Sequence, residues 1–281
     1  MSESREPSDA PPGENAFWAY CVVHAGDAGV IPGDLEGIEP GTSVEVLTEG
    51  ELAALVSTVP LAQYNDERLR EHLEDLGWVE QTARAHEAVL ERVLSFATIV
   101  PLRLCTLYRD TDGVRRLLRE TGGAFTDGLG AVDGCVELGV KVFALPGQAA
   151  AAVVSDTASA ERAAHSQARP GAAYLSRRQD ERDQADRARE ARAQCAEAVH
   201  EHLTELSRAA TTNPPQRPEA HGREGTMLLN GAYLVARDRV AEIGDAVVDL
   251  RAYWEPQGCE IELTGPWPAY NFVSGAAGIG P

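Results

Sequence analysis

His86 and Glu87 stand side by side in a segment of helical spacing, and a histidine–glutamate pair on a helix opens the zinc-protease signature. That chemistry needs two imidazoles one turn apart; the fifth position is Leu90, so the motif is not completed. His86 falls instead on the stripe Val79, Ala83, Leu90 and Val93, which predicts a hydrogen-bonded structural histidine rather than a general base. His200 and His202 are two apart on a second helical segment and do not share a face, which argues against a metal pair. Glu137 and Lys141 are four apart in a strand-like run and so point to one side. An acid beside the only lysine of the chain is either a catalytic pair or an ion pair; with no nucleophile motif nearby, the pair reads as structural. Five widely spaced cysteines form no CxxC pair, against both a disulfide framework and a zinc ribbon. The phosphate-cradling GxGxxG and GxxxxGK[ST] and the nucleophile elbow GxSxG are all missing, so no cofactor is expected.

A second kind of chemistry, contact rather than catalysis, is written at the end of the chain. Residues 263–273 read LTGPWPAYNFV, in which Pro266 and Pro268 hold the backbone extended while Trp267, Tyr270 and Phe272 project from it. The segment, with Gly265 and Pro266 as its structural entry, reads first as a strap whose aromatics fill a groove of its own domain. The other reading makes Trp267, Tyr270 and Phe272 an exposed anchor for a partner, since such rings supply contact area with few torsions to freeze.

The elements that must position these residues follow from periodicity. Residues 17–24 (FWAYCVVH) read as a buried strand, 25–42 as a loop, and 44–47 with 52–59 as a hairpin closed by Pro60. Asp66 is placed to cap one long amphipathic helix running to about Ser95. Residues 97–108 return to strand character, and Pro101 inside them marks an edge, bulge or break because it cannot donate a ladder bond. A second helix carries Val114, Leu117, Leu118 and Phe125 and is expected to end at the glycines around Gly128. Residues 135–145 form a third strand, and an Ala-rich stretch follows to about Ala168. A long charged helix then spans about 172–209, with a flexible loop at 210–225. A strand at 227–236, a helix capped by Asp238 and a last strand at 259–263 complete the chain. The expected class is therefore α+β in two domains. A disordered tail (1–15) precedes an N-terminal mixed α+β domain (16–131), and the C-terminal domain (132–281) is built around the long charged helix with an order that permits a ferredoxin-like sheet.

Composition bounds the partners. The chain has 281 residues, 43% of them hydrophobic, enough for sizeable cores, and a formal net charge of −19 that disfavours nucleic acid as a partner. No apolar run approaches a membrane span and no signal peptide is evident, so a cytoplasmic location is expected. No lysine or arginine occurs between Arg5 and Arg68, where twelve acids stand, so the acidity belongs mostly to one end of the chain. A patch of that kind is expected to solubilise the protein or orient a partner.

At the closing segment the sequence resembles a known family. LTGPWPAYNFV is similar to the closing motif of the gas vesicle GvpL/GvpF family, with Ala269 in place of a second proline. Upstream, in family order, Tyr20 to Val23 resembles its opening strand and ALVSTVP (residues 54–60) its second conserved strand. Trp78 through His86-Glu87 and Val89-Leu90 is similar to its helix, and Val100-Pro101-Leu102-Arg103 to its VPLR-like segment. Val136-Glu137 to Val140-Lys141-Val142 matches its E---KV strand, and GAAYL (residues 171–175) its helix start. Cys105-Thr106 stands where a glycine is often found. The resemblance implies a two-domain α+β protein with a ferredoxin-like C-terminal domain. It implies a non-enzymatic accessory role in gas vesicle formation, with the hydrophobic shell protein and other gas vesicle accessory proteins as partners and the gas vesicle as location. The rival readings are an enzyme using Glu137, Lys141 and His86, which requires those three to converge, and a small-molecule-binding α+β protein, which requires an apolar pocket with a few polar groups.

Overall fold

The computed structural model describes residues 15–145, 170–216 and 225–273; the expected tail, the Ala-rich stretch and part of the 210–225 loop lie outside them. The chain is a mixed α+β protein in two compact units. One comprises the described residues up to Val136 together with those from Trp267 onward, and the other runs from Glu137 to Pro266. The aromatic segment that the sequence placed in the C-terminal domain thus belongs to the first unit.

The first unit is built on a sheet of order β2-β3-β1-β4, with β5 also pairing to β1. Strand β1 (Asn15–His24) is buried almost along its whole length, as its continuous apolar run demands of a central strand. It lies antiparallel to β3 (Leu52–Pro60), which forms a hairpin with β2 (Val44–Glu49). The β1–β3 register slips between Ala19 and Cys21, leaving Tyr20 without a Cα partner. Such a bulge re-aims a side chain. The run expected as one strand at 97–108 is two short ones, β4 (Val100–Pro101) and β5 (Leu107–Tyr108), joined by a turn in which Cys105 takes φ 66°. Pro101 sits in the edge strand β4, where its missing N–H costs no ladder bond.

The helices differ from the sequence reading at their ends. The single helix expected from Asp66 is two, α1 (Asp66–Glu74) and α2 (Leu76–Leu94). The cap of α1 is Asn65, which accepts from Glu67 N at 3.1 Å and Arg68 N at 3.0 Å. Asp75 breaks the run because its carboxylate accepts from Gly77 N at 2.9 Å and Trp78 N at 3.3 Å, starting a new helix where the apolar stripe gave no sign of a stop. Likewise α3 (Thr111–Glu120) and α4 (Gly122–Val132) replace the second helix, and Gly128 and Gly130 lie within α4 rather than ending it. Helices α2 and α4 pack on β1, and Trp18, Tyr20, Leu55, Leu90, Phe125 and Leu129 are fully buried in this unit.

The second unit carries a sheet of order β7-β8-β6-β9. Its elements are β6 (Cys135–Ala144), α5 (Pro170–Leu206), β7 (Ala209–Thr212), β8 (Thr226–Ala236), α6 (Val240–Trp254) and β9 (Cys259–Trp267). Strand β7 occupies the start of the expected loop at 210–225. Asp238 does not cap α6, which grows instead from a 3-10 turn, Arg237–Arg239, with no side-chain cap. The core joins Leu138, Val140 and Val142 of β6 to Cys195, Val199 and Leu203 of α5 and to Ile243 and Val247 of α6. Helix α5, about 55 Å long at 1.5 Å per residue, contributes only its later turns to that core. Its described side chains up to Glu190 are exposed.

Candidate functional site

Each residue singled out in the sequence has a definite place. On α2 the turn that carries His86 also carries Glu87, and the two do different things. His86 is 1% exposed and points into the core of the first unit, where Trp18 Nε1 donates to its Nδ1 at 2.9 Å. An indole nitrogen can only donate, so Nδ1 must be the unprotonated nitrogen and Nε2 carries the hydrogen. Tyr20, aimed by the bulge, stacks on the imidazole with ring centroids 5.3 Å apart. Burial pushes the imidazole down to about 4, against a weaker upward pull from the Leu102 backbone. Nothing here delivers or accepts a proton at neutral pH; His86 is a buried, neutral acceptor.

The surrounding rings continue outward from this centre. Trp18 meets Tyr64 edge-on at 5.9 Å, Tyr64 reaches Trp78 at 6.2 Å, and Trp78 lies 4.6 Å from His72. The Tyr20 hydroxyl shares a hydrogen bond with Ser57 Oγ at 2.7 Å and accepts from Ile38 N at 2.8 Å, while the Tyr64 hydroxyl donates to Glu39. This network ties β1, β3, the loop before β2, and both α1 and α2 into one body. The sequence signal for it was present: Trp18 and Tyr20 recur at strand spacing, and His86 sits on an apolar stripe. Nothing in one sequence said that these would meet.

Glu87 is engaged by the closing segment. Its Oε1 accepts from the Tyr270 hydroxyl at 2.8 Å, while its Oε2 is buried without a hydrogen-bond partner. Burial raises the carboxyl above the usual range, the Tyr270 bond opposes this, and Glu91 adds to the rise. The turn Tyr270–Phe272 packs on α4, Pro268, Ala269 and Val273 are buried, and Trp267, Tyr270 and Phe272 are each half-buried. Gly265 enters the segment at φ 105°, a conformation only glycine adopts without strain, and both Gly265 and Pro266 are exposed; the bond between them is cis. Tyr270→Phe is expected to destabilise the first unit by about 1–3 kcal/mol, because it strips the last partner from a buried carboxylate. A raised carboxyl weakens the fold where it is ionised, so the loss should be larger at neutral pH than in acid. Urea unfolding of the variant at both values reads this directly, and equal losses would remove Glu87 from the account.

Glu137 and Lys141 do not make the expected ion pair. They lie on the face of β6 opposite Leu138, Val140 and Val142, separated by Gly139, where an added Cβ would stand 2.6 Å from Thr264 Oγ1. Glu137 is 6% exposed, and no ion pair of Lys141 occurs among the described residues. His86 belongs to the first unit and Glu137 and Lys141 to the second, so neither unit assembles the three. Among the described residues no group of three His, Cys, Asp or Glu side chains is placed to hold a metal ion, and no helix is long and apolar enough to cross a membrane. A groove of about 310 Å³ in the first unit is lined by Leu61, Tyr64, Leu107 and Tyr108 with Asp66 and Arg109 among its polar groups. Asp66, read from the sequence as a helix cap, is on its wall, whereas His86, Glu137, Lys141, Trp267, Tyr270 and Phe272 are not.

With this geometry in place, comparison with known proteins is informative. Residues 16–274 match the family described as gas vesicle synthesis protein GvpL/GvpF. The chain is 39% identical over 260 residues to gas vesicle protein L of Streptomyces sp. (strain CB03234), covering 91% of this chain and 92% of that one. It is 27% identical over 244 residues to gas vesicle protein F of the same organism, covering 86% and 93% of the two chains. The crystal structure of gas vesicle protein GvpF from Anabaena sp. PCC7120 superposes with a TM-score of 0.59 at 15% identity, covering 92% of this chain and 96% of that one, a likeness of fold.

Proposed function

The chain belongs to the GvpL/GvpF family of gas vesicle synthesis proteins, and from that premise we propose that it serves gas vesicle formation as a non-catalytic accessory that binds the hydrophobic shell protein. It takes part in gas vesicle formation; its partners are gas vesicle proteins, and in this reading the shell protein is first among them, met in the cytoplasm and at the vesicle. The observation that carries the reading is the match along residues 16–274 rather than at one motif. The architecture we assign is two-domain, the second domain being ferredoxin-like. The strand order β7-β8-β6-β9, with α5 and α6 as its two long helices, supports that assignment.

Physical chemistry supports the partner. A gas vesicle wall needs subunits with one water-repelling face, and such subunits aggregate before assembly unless that face is covered. The first unit offers an apolar corner for the purpose. Leu76 is 81% exposed and Leu73 48%, where α1 meets α2, with Glu71, Glu74, Asp75 and Glu80 close by in sequence. The acidic N-terminal stretch keeps the complex in solution. Trp267 and Phe272, half-buried beside the anchored Tyr270, retain enough exposure to add to the contact. Co-purification of the shell protein with the full chain tests the reading. We expect capture, and we expect the double substitution Leu73→Glu with Leu76→Glu to reduce it about tenfold or more, since both side chains are exposed. Absence of capture, together with normal vesicles in a deletion strain, would end the proposal.

A further inference from the structure

The groove of about 310 Å³ in the first unit exists because one strand position carries a small side chain. Ala16 and Trp18 lie two apart on β1 and so share a face, and the rings of Trp18 and Tyr20 fill the space between that face and His86. Position 16 offers only a methyl group, so the aromatic layer stops there and Ala16 becomes the floor of the groove. On one wall stand Leu107 and Arg109. The β1–β5 register pairs Trp18 with Leu107 and Phe17 with Tyr108, which places Arg109 across from Ala16. On the other wall the first turn of α1 presents Asp66 and Glu67.

The charges at the rim have no partner within the protein. Asp66, Glu67 and Arg109 are all exposed, and none of them makes an ion pair among the described residues, although the adjacent Arg68 is held by Glu71 at 2.7 Å. The groove is therefore an apolar floor with carboxylates along one rim and a guanidinium on the other. We propose that it is a docking site for an extended segment of a partner protein, which sets a leucine or phenylalanine side chain over Ala16 between one basic and one acidic residue. The basic residue faces Asp66 and Glu67, and the acidic residue faces Arg109.

A partner segment fits this groove better than a metabolite does. Sites for whole small molecules span about 300–1,000 Å³ and enclose most of the ligand, with polar groups converging inside. Here the volume stands at the bottom of that range, and the charged groups are exposed at the rim rather than converging on the floor. An apolar pit within a charged rim is the anatomy of an interface anchor. The floor supplies most of the affinity, because exposed ion pairs contribute little. The rim sets the direction of the segment and rejects one whose charges are reversed. The groove lies at the opposite end of α1 from Leu73, so it is a second contact and does not depend on the shell-protein reading.

The test pans the full-length protein against a phage-displayed library of random dodecapeptides, then titrates the enriched sequences as synthetic peptides by fluorescence polarisation. We expect a shared pattern: one leucine or phenylalanine, with lysine or arginine to one side and aspartate or glutamate to the other. Ala16→Trp, which fills the groove from its floor, should weaken the peptide about tenfold or more. Arg109→Glu should also weaken it about tenfold, and a peptide with lysine in place of its acid should bind that variant and not the parent. Arg109 is exposed, so this charge swap decides the matter even where Ala16→Trp fails to fold. Arg84→Glu, the same charge change on an exposed residue outside the groove, should leave the affinity within about twofold. Absence of enrichment overturns the proposal, and so does binding that survives both groove variants. Displacement of the peptide by an equal concentration of synthetic residues 1–14 also overturns it, by making the start of this chain the occupant.

Discussion

Replacing Trp18 with alanine is expected to be the most damaging single change in the first unit, costing about 3–5 kcal/mol of its stability. The side chain is fully buried on the central strand and meets Tyr64 edge-on at 5.9 Å and His86 at 6.0 Å. Its truncation removes packing from both sides of the aromatic network and leaves a cavity that the bulged strand beside it is poorly placed to close. Trp18→Phe separates the two contributions. Most of the ring remains, but the donor to His86 Nδ1 is gone, and a buried acceptor left unpaired costs about 1–3 kcal/mol. Amide exchange along β1 and β3, read against urea, measures both losses. A phenylalanine variant as stable as the parent would show that the Trp18–His86 bond contributes nothing beyond ring volume.

Acid should have an effect of similar size. His86 is held at about 4 in the folded protein against an ordinary 6.5, chiefly by burial. Between those two values the unfolded chain binds a proton that the native state refuses, so stability rises with pH across the window. The contribution is complete above about pH 6.5 and is lost as pH falls toward 4. At about 1.36 kcal/mol per pH unit it amounts to about 3 kcal/mol. The Trp18 hydrogen bond works in the same direction, since a charged imidazole would turn an N–H toward the indole N–H. Glu87 works in the other, because its raised carboxyl is relieved by acid. Urea midpoints of the first unit at pH 7.5, 6 and 5 should therefore fall steadily, and His86→Phe should flatten the slope whatever it does to the midpoint. Parallel slopes in parent and variant would place the acid sensitivity elsewhere.

How much of this was legible beforehand depended on the kind of pattern involved. The long strands β1, β3, β6 and β8 were legible because apolar runs report burial directly. The helices were legible in their middles and wrong at their ends. Asp75 illustrates why: a stripe of leucines continues through it, and only its carboxylate's competition for Gly77 N and Trp78 N breaks the helix. Gly128 and Gly130 mislead in the opposite sense, since the packing that buries Phe125 and Leu129 carries the helix through both. His86 was legible as a core residue from its stripe, but its Trp18 donor, sixty-eight positions away, was not. Glu137 and Lys141 alternate with the core residues Leu138, Val140 and Val142 along β6, yet shared direction does not set distance or partner. The strap reading of residues 263–273 was physical, resting on two prolines and three rings; which surface it crossed depended on Glu87, which no spacing rule pairs with Tyr270.

The discontinuity of the first unit has a consequence for how the protein is made. Its last piece, from Trp267 onward, follows the entire second unit in the chain. At about 5–20 residues per second, a ribosome delivers Tyr270 on the order of ten seconds after the chain has passed Val136. Throughout that interval Glu87 is without its hydroxyl donor and α4 without the turn that packs on it, while the second unit has all of its strands in hand first. The unit whose synthesis begins earlier is thus the later one to close, and the emerging chain presents an open first unit to whatever meets it during translation.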